Sequence, residues 1–231
     1  MFSSRRPGLR KRGAGRLPGV VGANIYDLEA ANIEGVDYRS LGYRACTGAS
    51  ARPVRQGSVG AGLGATVGKF LGLGRTSKGG VGSALKRLPT GHLMGALVVT
   101  NCVGNVYDIA TGRCLAGARR DEKGFYEFDE VAAEYIMARR GRGTTIGVVA
   151  TDAGLTHEQL MKLAMAAHDG LAMAFRPCHM SVDGDTFFAV STGPRPKELA
   201  YPLLDVLCYA AALCVAEAVR RSILKRRRAL R

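Results

Sequence analysis

Hydrophobic positions along the chain form long runs that are separated by charged and glycine-rich stretches. Two nearly continuous apolar runs, at residues 95–109 and 144–151, are typical of buried β-strands. Between residues 156 and 175 the apolar positions instead follow the i, i+3, i+4, i+7 spacing of a helix with one buried face. Thr156 and Gln159 match a capping box at the start of this helix. The alternation of strands and helices in covered layers predicts an α/β or α+β fold.

The other segments complete this outline. Residues 20–30 predict a short strand, and residues 110–143 predict a loop with one short helix. Residues 183–193 predict a turn followed by a strand that ends near Thr192. The last apolar run, at residues 199–219, predicts a long helix that closes the chain.

The basic charge of the chain is concentrated at its two ends. The chain has 231 residues and a formal net charge of +14, and 13 of its 33 basic residues lie in 4–16 and 220–231, where there are no acids. The rest holds 20 basic and 19 acidic residues, which argues against a broad nucleic-acid-binding face and against a specific nucleic-acid partner. With 47% hydrophobic residues, we expect one domain over 20–224 between a disordered basic tail, 1–19, and a basic tail, 225–231.

Membrane insertion and disulfide bonds are not expected. The run 199–219 contains Pro202, Asp205 and Glu217, and charges inside a bilayer are costly, so a buried helix is favoured over a membrane span. The basic N-terminus lacks the apolar stretch of a signal peptide. The six cysteines form no CxxC pair, which indicates reduced thiols, no metal site and a cytoplasmic location.

The segment 57–82 holds ten glycines in 26 residues, too many for an ordinary helix or sheet interior. A phosphate-binding loop requires glycine where Leu63 stands and a hydroxyl where Phe70 stands, and no GxGxxG spacing occurs. We therefore expect no nucleotide cofactor. Two interpretations stay open: close packing of chain against chain, or a loop whose amide groups line a pocket.

Four polar features have ordinary structural explanations when each is taken alone. Thr144 resembles a strand threonine, although a hydroxyl at the mouth of a buried strand is also a candidate nucleophile. Asn101, inside an apolar run, must satisfy both ends of its amide or face a cavity. Tyr26 resembles a half-buried aromatic residue, and the Asp-Gly-Asp sequence at 183–185 resembles a turn.

Seven segments together resemble one family, the DmpA-type aminopeptidases, which includes the β-peptidyl aminopeptidases. The segments occur in the family's order between about residue 20 and about residue 221: IYDL, GSVGAGLGATVGK, KGGVGSA, GALVVTNCVGNVYD, TTIGVVATDAGLT, MAAHDGLAMAFRP and DGDTFFAVSTG. The resemblance implies a four-layered αββα sandwich shared with the ornithine acetyltransferases. Relatives have strands and helices before the IYDL segment where this chain has a short basic stretch, so we expect part of the sheet and pocket wall to be missing.

The resemblance also implies N-terminal-nucleophile chemistry. The chain would cut itself between Gly143 and Thr144, which divides the domain into 20–143 and 144–224 and leaves an 88-residue C-terminal fragment. Thr144 would then be the nucleophile, and its freed α-amino group, with a pKa of about 7.7–8.0 in model compounds, would act as its base. Gly143 lacks a Cβ atom, which would let the backbone adopt a strained turn at the cut.

The resemblance assigns roles to four more residues. Asn101 would donate its side-chain amide to the developing oxyanion. Tyr26 would place its phenol beside the reacting carbonyl or the leaving group. Asp183 and Asp185 match a loop in which relatives have Ser and Glu, and a carboxylate there would hold or orient the Thr144 amine; Asp185 is the better match.

Three functions are consistent with this resemblance. The first is a self-processing aminopeptidase, without a cofactor, that releases N-terminal residues from short peptides or amides and assembles as a homo-oligomer. The second is an acyltransferase that passes the acyl group to an amine instead of water. The third is a truncated, non-catalytic subunit or binding module whose exposed sheet edge pairs with another chain.

Overall fold

The computed structural model describes residues 9–12, 15–18, 21–27, 35–121, 124–137, 142–194 and 201–224. Two strands, β1 (Leu9–Arg12) and β2 (Gly15–Pro18), pair antiparallel within the stretch expected to be disordered, so that expectation is wrong for these two strands. Their backbone groups bond to each other whatever the charge of the side chains. The rest of the stretch 1–19 and the basic tail 225–231 lie outside the described residues.

Four helices and eleven further strands are described. The helices are α1 (Tyr38–Thr47), α2 (Ala132–Met137), α3 (His157–Ala174) and α4 (Tyr201–Leu224). The strands are β3 (Thr66–Val67), β4 (Ser77–Lys78), β5 (Gly80–Arg87), β6 (Leu93–Thr100), β7 (Asn105–Tyr107), β8 (Cys114–Ala116), β9 (Arg119–Asp121), β10 (Gly124–Phe125), β11 (Ile146–Thr151), β12 (Phe175–Arg176) and β13 (Thr186–Ser191).

A mixed four-stranded sheet is the centre of the molecule, with strand order β13-β11-β6-β5. β11 runs parallel to β13 and antiparallel to β6, and β5 pairs antiparallel with β6. Residues on β6 and β11 alternate between buried and half-buried, because one face of the sheet carries the helices. The predicted strand at 144–151 is therefore confirmed from Ile146 onward.

Helices α3 and α4 pack against each other and against one face of this sheet. The predicted capping box is present: the Gln159 amide donates to Thr156 Oγ1 at 3.3 Å, and the Thr156 amide donates to Gln159 Oε1 at 3.0 Å. Helix α4 is long and apolar enough to cross a membrane, with a mean hydropathy of 1.8, but 61% of that window is buried. It packs on β5 and β6 as a core helix does.

The glycine-rich segment serves close backbone packing, which confirms one of the two interpretations of it. A Cβ atom on Gly82 would lie 1.8 Å from the Ala218 carbonyl oxygen of α4, and one on Gly79 would lie 2.1 Å from the Thr100 carbonyl oxygen. Such distances are far inside van der Waals contact. Only glycine lets β5 approach α4 this closely.

Three sequence expectations need correction. The apolar run 95–109 is two strands and not one: β6 ends at Thr100, and β7 belongs to a separate three-stranded sheet with order β12-β7-β8. The chain leaves the first sheet where Asn101 binds neighbouring segments through its side chain. Residues 21–27 form no strand, and residues 110–143 contain short strands as well as α2.

Gly82→Ala should destabilise the fold. The added methyl group meets the Ala218 carbonyl, and overpacking of this kind costs about 1–3 kcal/mol or more. Gly74→Ala is the matched control, because nothing lies within 4 Å of a Cβ atom there, and its effect should stay within about 0.5 kcal/mol. Urea unfolding of both variants measures the difference; equal stabilities would contradict the packing described for β5 and α4.

Candidate active site

Thr144 lies just before β11, with its hydroxyl against the peptide group that precedes it. Thr144 Oγ1 donates to the Gly143 carbonyl oxygen at 2.5 Å, and the Thr144 amide donates to the Asn101 carbonyl oxygen at 2.8 Å. The second bond fixes the backbone of Thr144 to the end of β6. A hydroxyl held at this carbonyl is placed to act on the bond between Gly143 and Thr144.

Gly143 is buried in a position that has no room for a side chain. A Cβ atom there would lie 2.0 Å from Asp183 Oδ1 and 2.7 Å from the Val103 amide nitrogen. The strained turn expected at this glycine is not observed, because Gly143 is not among the glycines with positive φ. Glycine is needed at this position because a side chain would have no room.

The carbonyl oxygen of Gly143 has a second donor. The Gly184 amide donates to it at 3.0 Å, from the loop that precedes β13. This oxygen would carry negative charge if the Gly143 carbonyl carbon were attacked. A backbone amide aimed at that oxygen is the kind of group that stabilises an oxyanion.

Asn101 is fully buried at the end of β6 and binds three segments. Its Oδ1 accepts from Lys69 Nζ at 2.7 Å and from the Thr66 amide at 3.0 Å. Its Nδ2 donates to the Tyr26 carbonyl oxygen at 3.4 Å. The backbone carbonyl of Asn101 contacts Thr144, whereas its side-chain amide is bound to Tyr26 in the uncut chain, and the role of that amide toward an oxyanion stays a prediction.

Lys69 is the functional candidate that the sequence argument missed. Its side chain is 1% exposed, and Nζ donates to both the carbonyl oxygen and Oδ1 of Asn101, at 2.9 and 2.7 Å. Burial lowers the Lys69 pKa from 10.5 to about 8, and the nearby Cys102, Asp183 and Asp185 oppose this shift. A lone lysine within the apolar, glycine-rich sequence GATVGKFLGLG was the signal that could have revealed it.

Asp183 and Asp185 lie on either side of the Gly143–Thr144 bond. Asp183 accepts from the Val103 amide at 3.1 Å and from the Met180 amide at 3.0 Å, and burial together with Asp185 raises its pKa to about 6. Asp185 accepts from the Thr145 amide at 2.7 Å, with its side chain 3% exposed. The fold therefore brings both predicted carboxylates to the candidate nucleophile.

Tyr26 contributes its backbone to the site, through the carbonyl group that accepts from Asn101. Its side chain is 50% exposed. The structure thus places Tyr26 beside Asn101, while the expected position of its phenol near a reacting carbonyl stays a prediction.

Two histidines border the carboxylate of Asp185. His179 Nδ1 lies 2.8 Å from Asp185 Oδ2, and His179 Nε2 lies 3.3 Å from His168 Nδ1. Cys178, His179 and Asp185 each offer a metal-ligand atom, all within 4.8 Å of one another. His179 and Asp185 also satisfy each other through a hydrogen bond.

Comparisons with known proteins show the family of the chain. The family model of peptidase family S58 matches residues 11–229. The chain is 37% identical over 232 residues to an uncharacterized aminopeptidase of Mycobacterium tuberculosis, covering 91% of this chain and 64% of that protein. It is 32% identical over 180 residues to a 6-aminohexanoate-oligomer endohydrolase of Kocuria sp., covering 75% of this chain and 50% of that protein.

The fold is also similar to a solved structure. The L-aminopeptidase D-Ala-esterase/amidase of Ochrobactrum anthropi, a variant of the Ntn hydrolase fold, superimposes with a TM-score of 0.53 at 24% identity, covering 77% of this chain and 47% of that one. This likeness confirms the predicted α/β fold class. The chain spans between half and about two thirds of the length of the curated relatives that it matches.

Lys69→Met should raise the free energy of unfolding at pH 7. The lysine pKa is about 8 in the folded chain and 10.5 when exposed, so the unfolded chain binds more protons between these values. The free energy of unfolding therefore rises as pH increases from 8 to 10.5. Below pH 8 the buried charge of Lys69 lowers the free energy of unfolding by at most on the order of 3 kcal/mol. Both oxygens of Asn101 keep a backbone donor in the variant.

The measurement is urea unfolding between pH 7 and 10.5 in a Thr144→Ala background, so that every sample is one unbroken chain. Lys86→Met removes an exposed strand lysine and is the matched control, which should leave the rise in place. A Lys69→Met chain that is less stable at pH 7 and keeps the full rise would show that Lys69 is not a costly buried cation.

Proposed function

The chain belongs to peptidase family S58, and on this premise we propose that it is a self-processing aminopeptidase with Thr144 as its nucleophile. The observation that carries the proposal is the contact of 2.5 Å between Thr144 Oγ1 and the carbonyl oxygen of Gly143. The crowding around Gly143, where a Cβ atom would lie 2.0 Å from Asp183 Oδ1, also supports the proposal.

Self-cleavage would proceed through an ester. Thr144 Oγ1 attacks the Gly143 carbonyl carbon, the bond from that carbon to the Thr144 nitrogen breaks, and the hydroxyl proton moves to the released amine. The Gly184 amide would stabilise the oxyanion of this step, because it already donates to the same oxygen. Water then hydrolyses the ester, which leaves a Gly143 carboxylate and a Thr144 with free hydroxyl and amine.

Turnover of a substrate would use that amine as the base. The amine takes the Thr144 hydroxyl proton, Oγ1 attacks the substrate carbonyl, and the leaving amine receives the proton before water releases the acyl group. The Asn101 carbonyl that binds the Thr144 amide at 2.8 Å would hold the new amine in the same place. Asn101 Nδ2 would serve the substrate oxyanion, and Asp183 and Asp185 would stabilise the ammonium form.

Lys69 would support this arrangement by its charge. Its ammonium binds both oxygens of Asn101 and thereby directs the other end of the side-chain amide, Nδ2, away from β6. A cation in a buried site also favours negative charge that develops nearby. The lysine thus prepares Asn101 for the role of oxyanion donor.

The relatives support a proposal for the substrate class. Aminopeptidase relatives at 37% identity favour release of N-terminal residues from short peptides or amides. A second candidate is internal cleavage of amide oligomers, because an endohydrolase of 6-aminohexanoate oligomers is 32% identical over most of the chain. An aminopeptidase requires a free substrate amine, so turnover of N-acetylated oligomers would select the endohydrolase.

The purified chain should consist of two fragments, of 143 and 88 residues, when its intact mass is measured. Thr144→Ala should give one uncut chain, whereas Thr144→Ser keeps a hydroxyl and should still be cut. Thr145→Ala removes the neighbouring hydroxyl and serves as the control that is also cut. A wild-type chain that stays whole and inactive would favour the non-catalytic subunit instead.

Asn101→Asp should lower kcat by about 100- to 1000-fold, the usual loss for one oxyanion donor. The variant keeps Oδ1 for Lys69 and Thr66, replaces the Nδ2 donor by an oxygen, and adds a carboxyl group, a change that Asn105→Asp introduces as well. Asn105→Asp is the control, since Asn105 is equally buried but binds Ala118 and Tyr126. Release of p-nitroaniline from amino-acid p-nitroanilides gives kcat, and Tm values check the fold; equal kcat values in the two variants would contradict the role of Asn101.

A further inference from the structure

His168, His179 and Asp185 form a chain of hydrogen bonds. The chain ends at the backbone amide of Thr145, the residue after the candidate nucleophile. His168 Nδ1 contacts His179 Nε2 at 3.3 Å, His179 Nδ1 contacts Asp185 Oδ2 at 2.8 Å, and the Thr145 amide donates to Asp185 Oδ1 at 2.7 Å. Both oxygens of the carboxylate are therefore engaged, one by a side chain and one by the backbone next to Thr144.

We propose that His179 is a positioning residue that holds the Asp185 carboxylate in the orientation needed beside the Thr144 amine. This inference rests on the proposed function, in which Asp185 stabilises that amine. His179 itself does not touch the reacting atoms. It acts on them only through Asp185.

The directions of the hydrogen bonds support this assignment. An ionised carboxylate only accepts, so His179 Nδ1 must carry the proton that faces Asp185. In a neutral ring Nε2 is then an acceptor, and His168 Nδ1 must donate to it. Burial and the neighbouring His179 lower the His168 pKa.

The backbone at His179 is also unusual. His179 has φ of 54°, in the left-handed region that is uncommon outside glycine, although histidine adopts it more often than most residues. It is the one residue other than glycine with positive φ among the residues that the structure describes. The side chain is 40% exposed, so burial of the ring does not explain the conformation, and the ring contacts a carboxylate that is 3% exposed.

The surroundings of Asp185 explain why it needs a fixed partner. The charge of Asp185 adds to the burial that raises the pKa of Asp183, and Lys69 opposes that shift. A buried carboxylate with one unbonded oxygen could rotate about its last torsion or attract a proton. The His179 ring removes that freedom, and His168 in turn packs edge-on against Phe187 of β13, with ring centroids 5.2 Å apart.

Two substitutions separate the hydrogen bond from the backbone conformation. His179→Asn keeps a side-chain N–H donor at the level of Nδ1 and tolerates positive φ. His179→Gly also tolerates positive φ but has no donor. His92→Asn applies the same change to a histidine in the β5–β6 turn and is the remote control.

We expect His179→Gly to lower kcat by about 100-fold, the loss typical of a misplaced catalytic group, with little change in KM. His179→Asn should recover most of this loss, and His92→Asn should match the wild type. A wild-type kcat in His179→Gly, or a His179→Asn chain as slow as His179→Gly, would overturn the proposal.

A second readout does not depend on activity. In Thr144→Ala chains, which stay uncut, hydrogen exchange of the Thr145 amide should quicken in His179→Gly and return toward the parent rate in His179→Asn. Unchanged Thr145 exchange in His179→Gly would overturn the positioning role even if the wild type is active. If the wild type is uncut and inactive but exchange responds as expected, the positioning of Asp185 stands and the proposed function fails.

Discussion

The buried Asn101 is the residue on which the rest of the site depends. Its backbone carbonyl oxygen accepts a hydrogen bond from the Thr144 amide, and this oxygen and Oδ1 both accept from Lys69 Nζ. Its side-chain amide donates to the Tyr26 carbonyl. These groups lie up to 75 residues from Asn101 in sequence. Because an unpaired polar group in a dry interior is costly, satisfying one asparagine fixes the relative positions of all of them.

The site is electrostatically costly for the folded chain at neutral pH. Burial opposes the charged form of Lys69, whose pKa is lowered to about 8, and of Asp183, whose pKa is raised to about 6. Hydrophobic packing on the other face of the sheet, where α3 and α4 cover β5, β6 and β11, offsets this cost. A rigid helix-covered sheet thus supports a charged cluster at the ends of three of its strands, β6, β11 and β13.

Close approach of backbones is the second constraint, and it has different consequences at Gly82 and at Gly143. At Gly82 it brings a strand against α4 and contributes only to packing. At Gly143 it presses a peptide bond against Asp183 and Val103, with Gly184 on the carbonyl oxygen. The same residue type therefore builds the core in one place and presents a bond to a hydroxyl in the other.

The sequence by itself determined the local elements whose signals are contiguous. The capping box at Thr156 and Gln159, the strand after Thr145 and the final apolar helix follow from neighbouring residues, and the resemblance of seven segments identified the family and the positions of Thr144, Asn101, Asp183 and Asp185. Only the tertiary structure decided that the run 95–109 breaks at Asn101, that Lys69 enters the site, and that His179 binds Asp185. Those outcomes depend on burial and on hydrogen-bond partners that lie far apart along the chain. Hydropathy and residue spacing do not indicate which distant polar groups will form hydrogen bonds with each other.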